Sequence, residues 1–198
     1  MRLAGPRPES CNHGYMKTLK AGSYWNAFGS SCLVVGVILL VSVLDFFIPL
    51  KAFGILPRTV PGLIGIIFSP LLHLNAAHLF ANSLPLFVLL MLLFWDRRYH
   101  PALTLAAIWV ASGFGTWLIG RGNAIHIGAS SLVYGLVVYL IAAAFWMKRW
   151  RSAAVAVFVF VIYGGIFFGL LPQLGQVSWE GHLAGAIAGL WTARKNHT

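Results

Sequence analysis

Apolar stretches long enough to cross a bilayer recur along the whole chain, and they limit its fold more than any other feature. A spanning helix needs about 20 mostly apolar residues. In hydrocarbon every backbone N–H and C=O must be satisfied internally, which makes helices the solution for uninterrupted apolar runs. The pattern predicts helices at 29–50, 76–95, 101–120, 128–147, 152–172 and 178–193. Only 9% of residues are charged and mean hydropathy is +0.82, whereas a soluble domain carries about 25% charged residues. The expected architecture is all-α: a basic leader over 1–28, one six-helix membrane domain over 29–193 and a short tail over 194–198.

The boundaries have chemical markers. Trp95, Tyr99, Trp146 and Trp150 fall at or between the ends of predicted spans, where aromatic rings favour the headgroup region, and Pro101 and Pro172 stand where a helix is hard to continue;. The formal net charge is +10, but the basic residues form short clusters between apolar runs instead of one polar face, which argues against nucleic acid. Arg2, Arg7, Lys17, Lys20, Arg97, Arg98, Lys148, Arg149, Arg151, Arg194 and Lys195 fall on one side, against Lys51, Arg58 and Arg121 on the other. That bias places both termini in the cytoplasm. The first apolar run follows a basic leader without a small-residue cleavage site, so it reads as a signal anchor, with Met16 an alternative start;. Cys11 and Cys32 offer neither a disulfide framework nor a thiolate metal site;. The connection over 51–75 holds several Gly and Pro yet stays apolar from Leu63 to Phe68, and is expected to lie in the interface;.

Polar groups are expensive inside a membrane and usually pair with one another or line a wet functional cavity. With both termini inside, the second, fourth and sixth helices start on the outer side, and near those starts lie His78 with Asn82, Ser130, and His182. His78 and Asn82 share one helix face, as do Ser130 and Tyr134, and as do His182, Gly185 and Gly189;. A serine hydroxyl attacks a carbonyl poorly until a base takes its proton, and imidazole is the usual base, so Ser130 and His182 form a minimal nucleophilic pair. Asn82, His78 and the backbone N–H groups opening the fourth helix are candidate donors to an oxyanion, with the helix dipole correctly directed. Gly128 allows close approach before the serine, and Gly185 with Gly189 allows the sixth helix to pack tightly on the fourth.

The remaining polar residues read as structural. His13, His100 and His197 lie in polar or boundary segments. His73 is expected to cap or orient the second helix and His126 to fix the loop before the serine. Ser131 reads as a serine bonding its own helix carbonyl. Asp45 and Glu180 read as interfacial charges reaching water, with orientation of His182 a lesser role for Glu180.

Gly128-Ala129-Ser130 with Tyr134, His78-x-x-x-Asn82 and His182-x-x-Gly185-x-x-x-Gly189 resemble, in order and helix placement, the three signatures of rhomboid proteases. Ser178 to Gly185 and His73 to Pro85 resemble the corresponding runs of compact bacterial rhomboids, so the resemblance covers roughly 50–193. It implies an intramembrane serine endopeptidase with a Ser130–His182 dyad, Tyr134 beneath the imidazole, and neither cofactor nor metal. It further implies a multi-pass protein of the cell membrane, in bacteria the inner one, cutting other transmembrane segments near their outer ends, at small residues beside helix-destabilising sequence. The chain departs from the family in having Ser131 where glycine is usual. It also has Gly54-Ile-Leu-Pro-Arg58 in place of the Trp-Arg pair found in the first outer loop of some rhomboids. The alternative is a catalytically silent rhomboid-like protein that binds membrane clients. A transporter or channel would carry its polar groups at the midplane. Metallo- and aspartyl-type intramembrane proteolysis find neither a His-Glu-x-x-His run nor a second aspartate to accompany Asp45;.

Overall fold

The computed structural model describes residues 11–172 and 177–198. Six long helices dominate the described residues: α1 (Cys11–Phe47), α2 (Ala76–Trp95), α3 (Pro101–Ile119), α4 (Ser130–Met147), α5 (Trp150–Tyr163) and α6 (Trp179–His197). Among the described residues, five segments have the length and apolarity to cross a membrane: Tyr24–Phe47, Ala76–Trp95, Arg97–Ile119, Ser130–Met147 and Trp150–Leu170. The sixth helix is not among them, because α6 combines Glu180, Arg194 and Lys195 with His182 and many Gly and Ala, which together keep its hydropathy low.

Several helix ends follow from local chemistry. Asn75 is the N-cap of α2, its side chain accepting from His78 N at 2.9 Å;. Pro101 occupies the first turn of α3, where its missing N–H costs nothing;. Ser178 caps α6 by accepting from Gly181 N at 3.2 Å. Other ends differ from the sequence reading. The first helix starts at Cys11, well before residue 29, so part of the expected leader is helical. The last runs through the expected tail to His197. The fifth gives way at Gly164 to a 3₁₀ segment, Gly164–Leu170, as two adjacent glycines weaken the α register;.

The core surrounds α4. Leu132, Leu136 and Leu140 on α4 are fully buried with Leu86, Leu89, Leu90 and Leu93 of α2, Ile38 of α1 and Ile108 of α3. More than half (56%) of the apolar window of α4 is buried in the bundle, against 6% for Trp150–Leu170, so α4 is central and α5 peripheral. The contact between α4 and α6 is backbone on backbone. A Cβ at Gly185 would strike the Ser131 carbonyl, and one at Gly189 the Gly135 carbonyl. The small-residue spacing therefore lets the two helices approach closely, as membrane packing favours.

The α1–α2 connection is built of short 3₁₀ and helical turns docked on α3. The indole N–H of Trp117 donates to Thr59 O at 2.9 Å, and that of Trp109 to Ile66 O at 3.1 Å. Arg58 Nη1 donates to Leu118 O and Gly120 O, placing a cation on the carbonyl end of α3;.

Candidate active site

Ser130 opens α4, so its neighbourhood has the unpaired N–H groups and positive dipole end of a helix start;. The loop before it is tied from three directions. Ile55 and His126 exchange backbone hydrogen bonds of 3.0 and 2.8 Å, Gly128 N donates to Ser69 O at 2.8 Å, and Ala129 N donates to His73 Nε2 at 3.4 Å. Gly128 has φ +120°, a conformation that L side chains rarely adopt;. A Cβ there would also lie 2.7 Å from His78 Cε1 and 3.6 Å from Asn82 Nδ2. The loop thus packs directly on the two polar side chains of α2.

A cavity of ≈ 940 Å³ is lined by His78 and Asn82 from α2, Ser130 and Tyr134 from α4, and His182 from α6. The His182 and Tyr134 rings stack at 4.0 Å with 9° between their planes. His182 Nδ1 lies 2.9 Å from Gly169 O. A carbonyl only accepts, so Nδ1 carries the proton and Nε2 keeps its lone pair. Gly169 sits in the 3₁₀ segment, where a Cβ would collide with Tyr134 Oη, so only the bare backbone brings this carbonyl to the imidazole. Ser130 and His182 share the cavity, and no hydrogen bond joins them among the described contacts.

The α2 groups present donors. Asn82 is buried, and its Nδ2 has no hydrogen-bond partner among the described residues. Leu74 N donates to His78 Nδ1 at 3.5 Å, which leaves the proton on Nε2, the nitrogen nearer Gly128. A buried amide N–H without a partner costs about 1–3 kcal/mol. Natural structures keep few such groups, and each calls for a reason.

Along the cavity wall a partly buried relay joins the α3–α4 loop to the start of α6. Gly181 N donates to Ser178 Oγ, the Ser178 hydroxyl lies 2.6 Å from His126 Nδ1, and His126 Nε2 lies 3.2 Å from Arg121 O. The carbonyl fixes His126 as the Nε2–H tautomer, so Ser178 donates to Nδ1. Arg121 Nε pairs with Glu180 Oε1 at 2.8 Å, and its Nη2 donates to Val177 O at 2.7 Å. Burial lowers the His126 pKa most, partly offset by the Arg121 carbonyl and Glu180.

This geometry corrects several expectations. The Glu180 side chain is only 2% exposed and engages Arg121, so it neither reaches water nor orients His182, a role taken by Gly169. Asp45 is also sheltered, at 9%, and accepts from Leu50 N while pairing with Lys51 at the end of α1. His73 does not cap α2, which Asn75 does; it accepts from Ala129 in the pre-serine loop. Ser131 Oγ is 3.5 Å from Ser112 Oγ of α3 and is not seen on a carbonyl of its own helix. The parts missed from sequence are Asn75, the Gly169 carbonyl and the Arg121–Glu180 pair. Asn75 had a legible signal, an Asn immediately before an apolar helix; the other two are contacts between distant segments.

The Rhomboid domain family matches residues 60–197, a range that holds His78, Asn82, Ser130, Tyr134 and His182 around the cavity. An uncharacterized protein of Mycobacterium tuberculosis is 39% identical over 180 residues, covering 85% of this chain and 75% of its own length, and one of Mycobacterium bovis matches equally. An uncharacterized Mycobacterium leprae protein is 39% identical over 137 residues, covering 65% of this chain and 54% of its own length. No solved structure gives a significant match. The helical bundle and the family match together make this chain a multi-pass membrane protein that belongs to the rhomboid family.

Proposed function

We propose that the chain is an intramembrane serine endopeptidase. Ser130 is the nucleophile and His182 the general base. The Ser130 Oγ proton passes to His182 Nε2 as Oγ attacks the scissile carbonyl carbon. The oxyanion that forms accepts from Asn82 Nδ2, His78 Nε2 and the N–H groups opening α4. The imidazolium then gives its proton to the leaving amine, and a water activated by the same His182 hydrolyses the acyl-enzyme. The Gly169 carbonyl sets the tautomer, and Tyr134 supports the imidazole face, so a dyad works without a carboxylate;.

The observation that carries this reading is the unpartnered, buried Asn82 Nδ2 beside Gly128, two residues before a serine at a helix start. A donor held ready without a ground-state partner stabilises charge that appears only in the transition state. The substrates are other membrane proteins, cut near the outer ends of their spans at small residues beside helix-destabilising sequence. The site belongs to a cell membrane, in bacteria the inner one. The test is co-reconstitution in liposomes with single-span proteins carrying Ala or Gly near the outer end, with products read by mass spectrometry. Cleavage at such residues by the parent, absent with Ser130→Ala, supports the reading. Intact substrates with a folded parent throughout the panel count against it.

A further inference from the structure

The opposite end of the bundle carries a second cavity, open and of ≈ 460 Å³, lined by Arg97, Arg98, His100, Met147, Arg149 and His197. It is formed where the α2–α3 turn, the α4–α5 turn and the end of α6 meet. We propose that this cavity binds the phosphate headgroup of an anionic phospholipid.

Its charge is unbalanced. Of the four acidic residues in the chain, only Asp96 lies at this end among the described residues, and it stands 3.8 Å from Arg98. Arg97 and the half-buried Arg149 have no ion-pair or hydrogen-bond partner for their guanidinium groups among the described residues. Arginine presents a planar fork of donors suited to phosphate oxygens. Two helix starts add to it: His100 and Arg149 are the N-cap positions of α3 and α5, and neither side chain caps its helix. Helix N-termini favour anions through unpaired N–H groups and the dipole. The C-terminal ends of α2, α4 and α6 at this end oppose this, so the cations carry the attraction, and the end of α6 adds Arg194, Lys195 and His197.

The walls are fixed before any ligand arrives. Tyr139 Oη donates to Tyr99 O at 2.8 Å, so His197 Nε2, 3.2 Å away, donates to that oxygen. Thr104 Oγ1 donates to Tyr99 O at 2.6 Å and accepts from Asn196 Nδ2 at 2.8 Å. His100 and Lys148, at the two turns, have φ of +47° and +48°, a region sparsely populated outside glycine;.

Exposed Trp95, Trp150 and Trp191 ring this end of the bundle. Indoles concentrate at the headgroup level, and the excess of Lys and Arg marks the cytoplasmic face, where basic pockets between helices take anionic headgroups. The phosphate that fits is therefore one presented by lipid at that depth, in preference to a free anion.

Full-length protein in mild detergent is titrated with phosphatidylglycerol, phosphatidylcholine and inorganic phosphate, with retained lipid read by native mass spectrometry and melting temperature read in parallel. Phosphatidylglycerol is expected to bind and raise the melting temperature. Arg97→Gln/Arg149→Gln should weaken it roughly tenfold or more, as expected when two cations leave a surface site. Arg194→Gln/Lys195→Gln, equal in charge removed but outside the lining, should weaken it less than about threefold. Arg97→Gln/Arg98→Gln, both exposed, replaces the first variant if that one does not accumulate. Equal losses in the pocket and control variants, or equal binding of phosphatidylcholine, overturn the site. Displacement of the lipid by inorganic phosphate alone overturns the lipid as its occupant.

Discussion

Replacing Asn82 with alanine separates a catalytic donor from a structural one. Asn82 Nδ2 is buried without a hydrogen-bond partner among the described residues, a state that costs about 1–3 kcal/mol. Asn82→Ala removes that cost and also removes side-chain packing, a loss of similar size for a few heavy atoms, in the range of 1–2 kcal/mol. The two nearly cancel, so stability should change by no more than about 1 kcal/mol in either direction. Activity should not be spared. Loss of one preorganised oxyanion donor costs about 2.7–4 kcal/mol of transition-state stabilisation, or roughly 10²–10³ in kcat. The assay pairs turnover of a reconstituted transmembrane substrate with thermal unfolding in the same detergent. A kcat within about threefold of the parent, or a fall in activity that tracks a large fall in melting temperature, would refute the assignment.

Other consequences follow from the same contacts. Gly185→Val drives side-chain atoms into the Ser131 carbonyl and should destabilise by about 3 kcal/mol or more, read as a lowered melting temperature together with lost activity. Arg121→Gln strands the buried Glu180 carboxylate and should cost about 3–5 kcal/mol, with Arg121→Gln/Glu180→Gln recovering a measurable part; equal melting temperatures of single variant and parent would contradict the buried pair. Burial first, then the neighbouring His78, pushes the His73 pKa down to about 4, so the native state holds it neutral while the unfolded chain protonates near 6.5. Its contribution is fully present above pH 6.5 and fades on acidification towards 4, by on the order of 3 kcal/mol, and His73→Gln should flatten the pH dependence of unfolding in that window.

The helices most legible in the sequence are those with chemical punctuation at both ends. The span read at 76–95 coincides with α2 because Asn75 caps it and Asp96 leaves it, and the span read at 101–120 nearly coincides with α3 because Pro101 opens it. The start of α1 was not legible, since helix propensity continues upstream of the apolar run that hydropathy detects;. The change to a 3₁₀ segment at Gly164 was also hidden: glycine pairs signal a weak point without saying which way the chain turns, and that turn presents the Gly169 carbonyl to His182. Ser130, His182, His78 and Asn82 could be singled out because their cost in a membrane needs a reason, and their helices start on one side. Glu180 was misread because the burial of a charge depends on a partner from another loop, and nothing near it in sequence points to Arg121.

The central claim, an activated Ser130, is tested most directly by fluorophosphonate labelling of the purified protein and of Ser130→Ala, His182→Ala and Ser131→Ala in one detergent. Ser131 lies towards Ser112 on α3, so labelling should persist in Ser131→Ala and vanish in the other two. Labelling lost only in Ser131→Ala would move the nucleophile by one residue. A folded parent that does not label, beside an active rhomboid that does, would contradict the protease and leave the silent client-binding protein in its place.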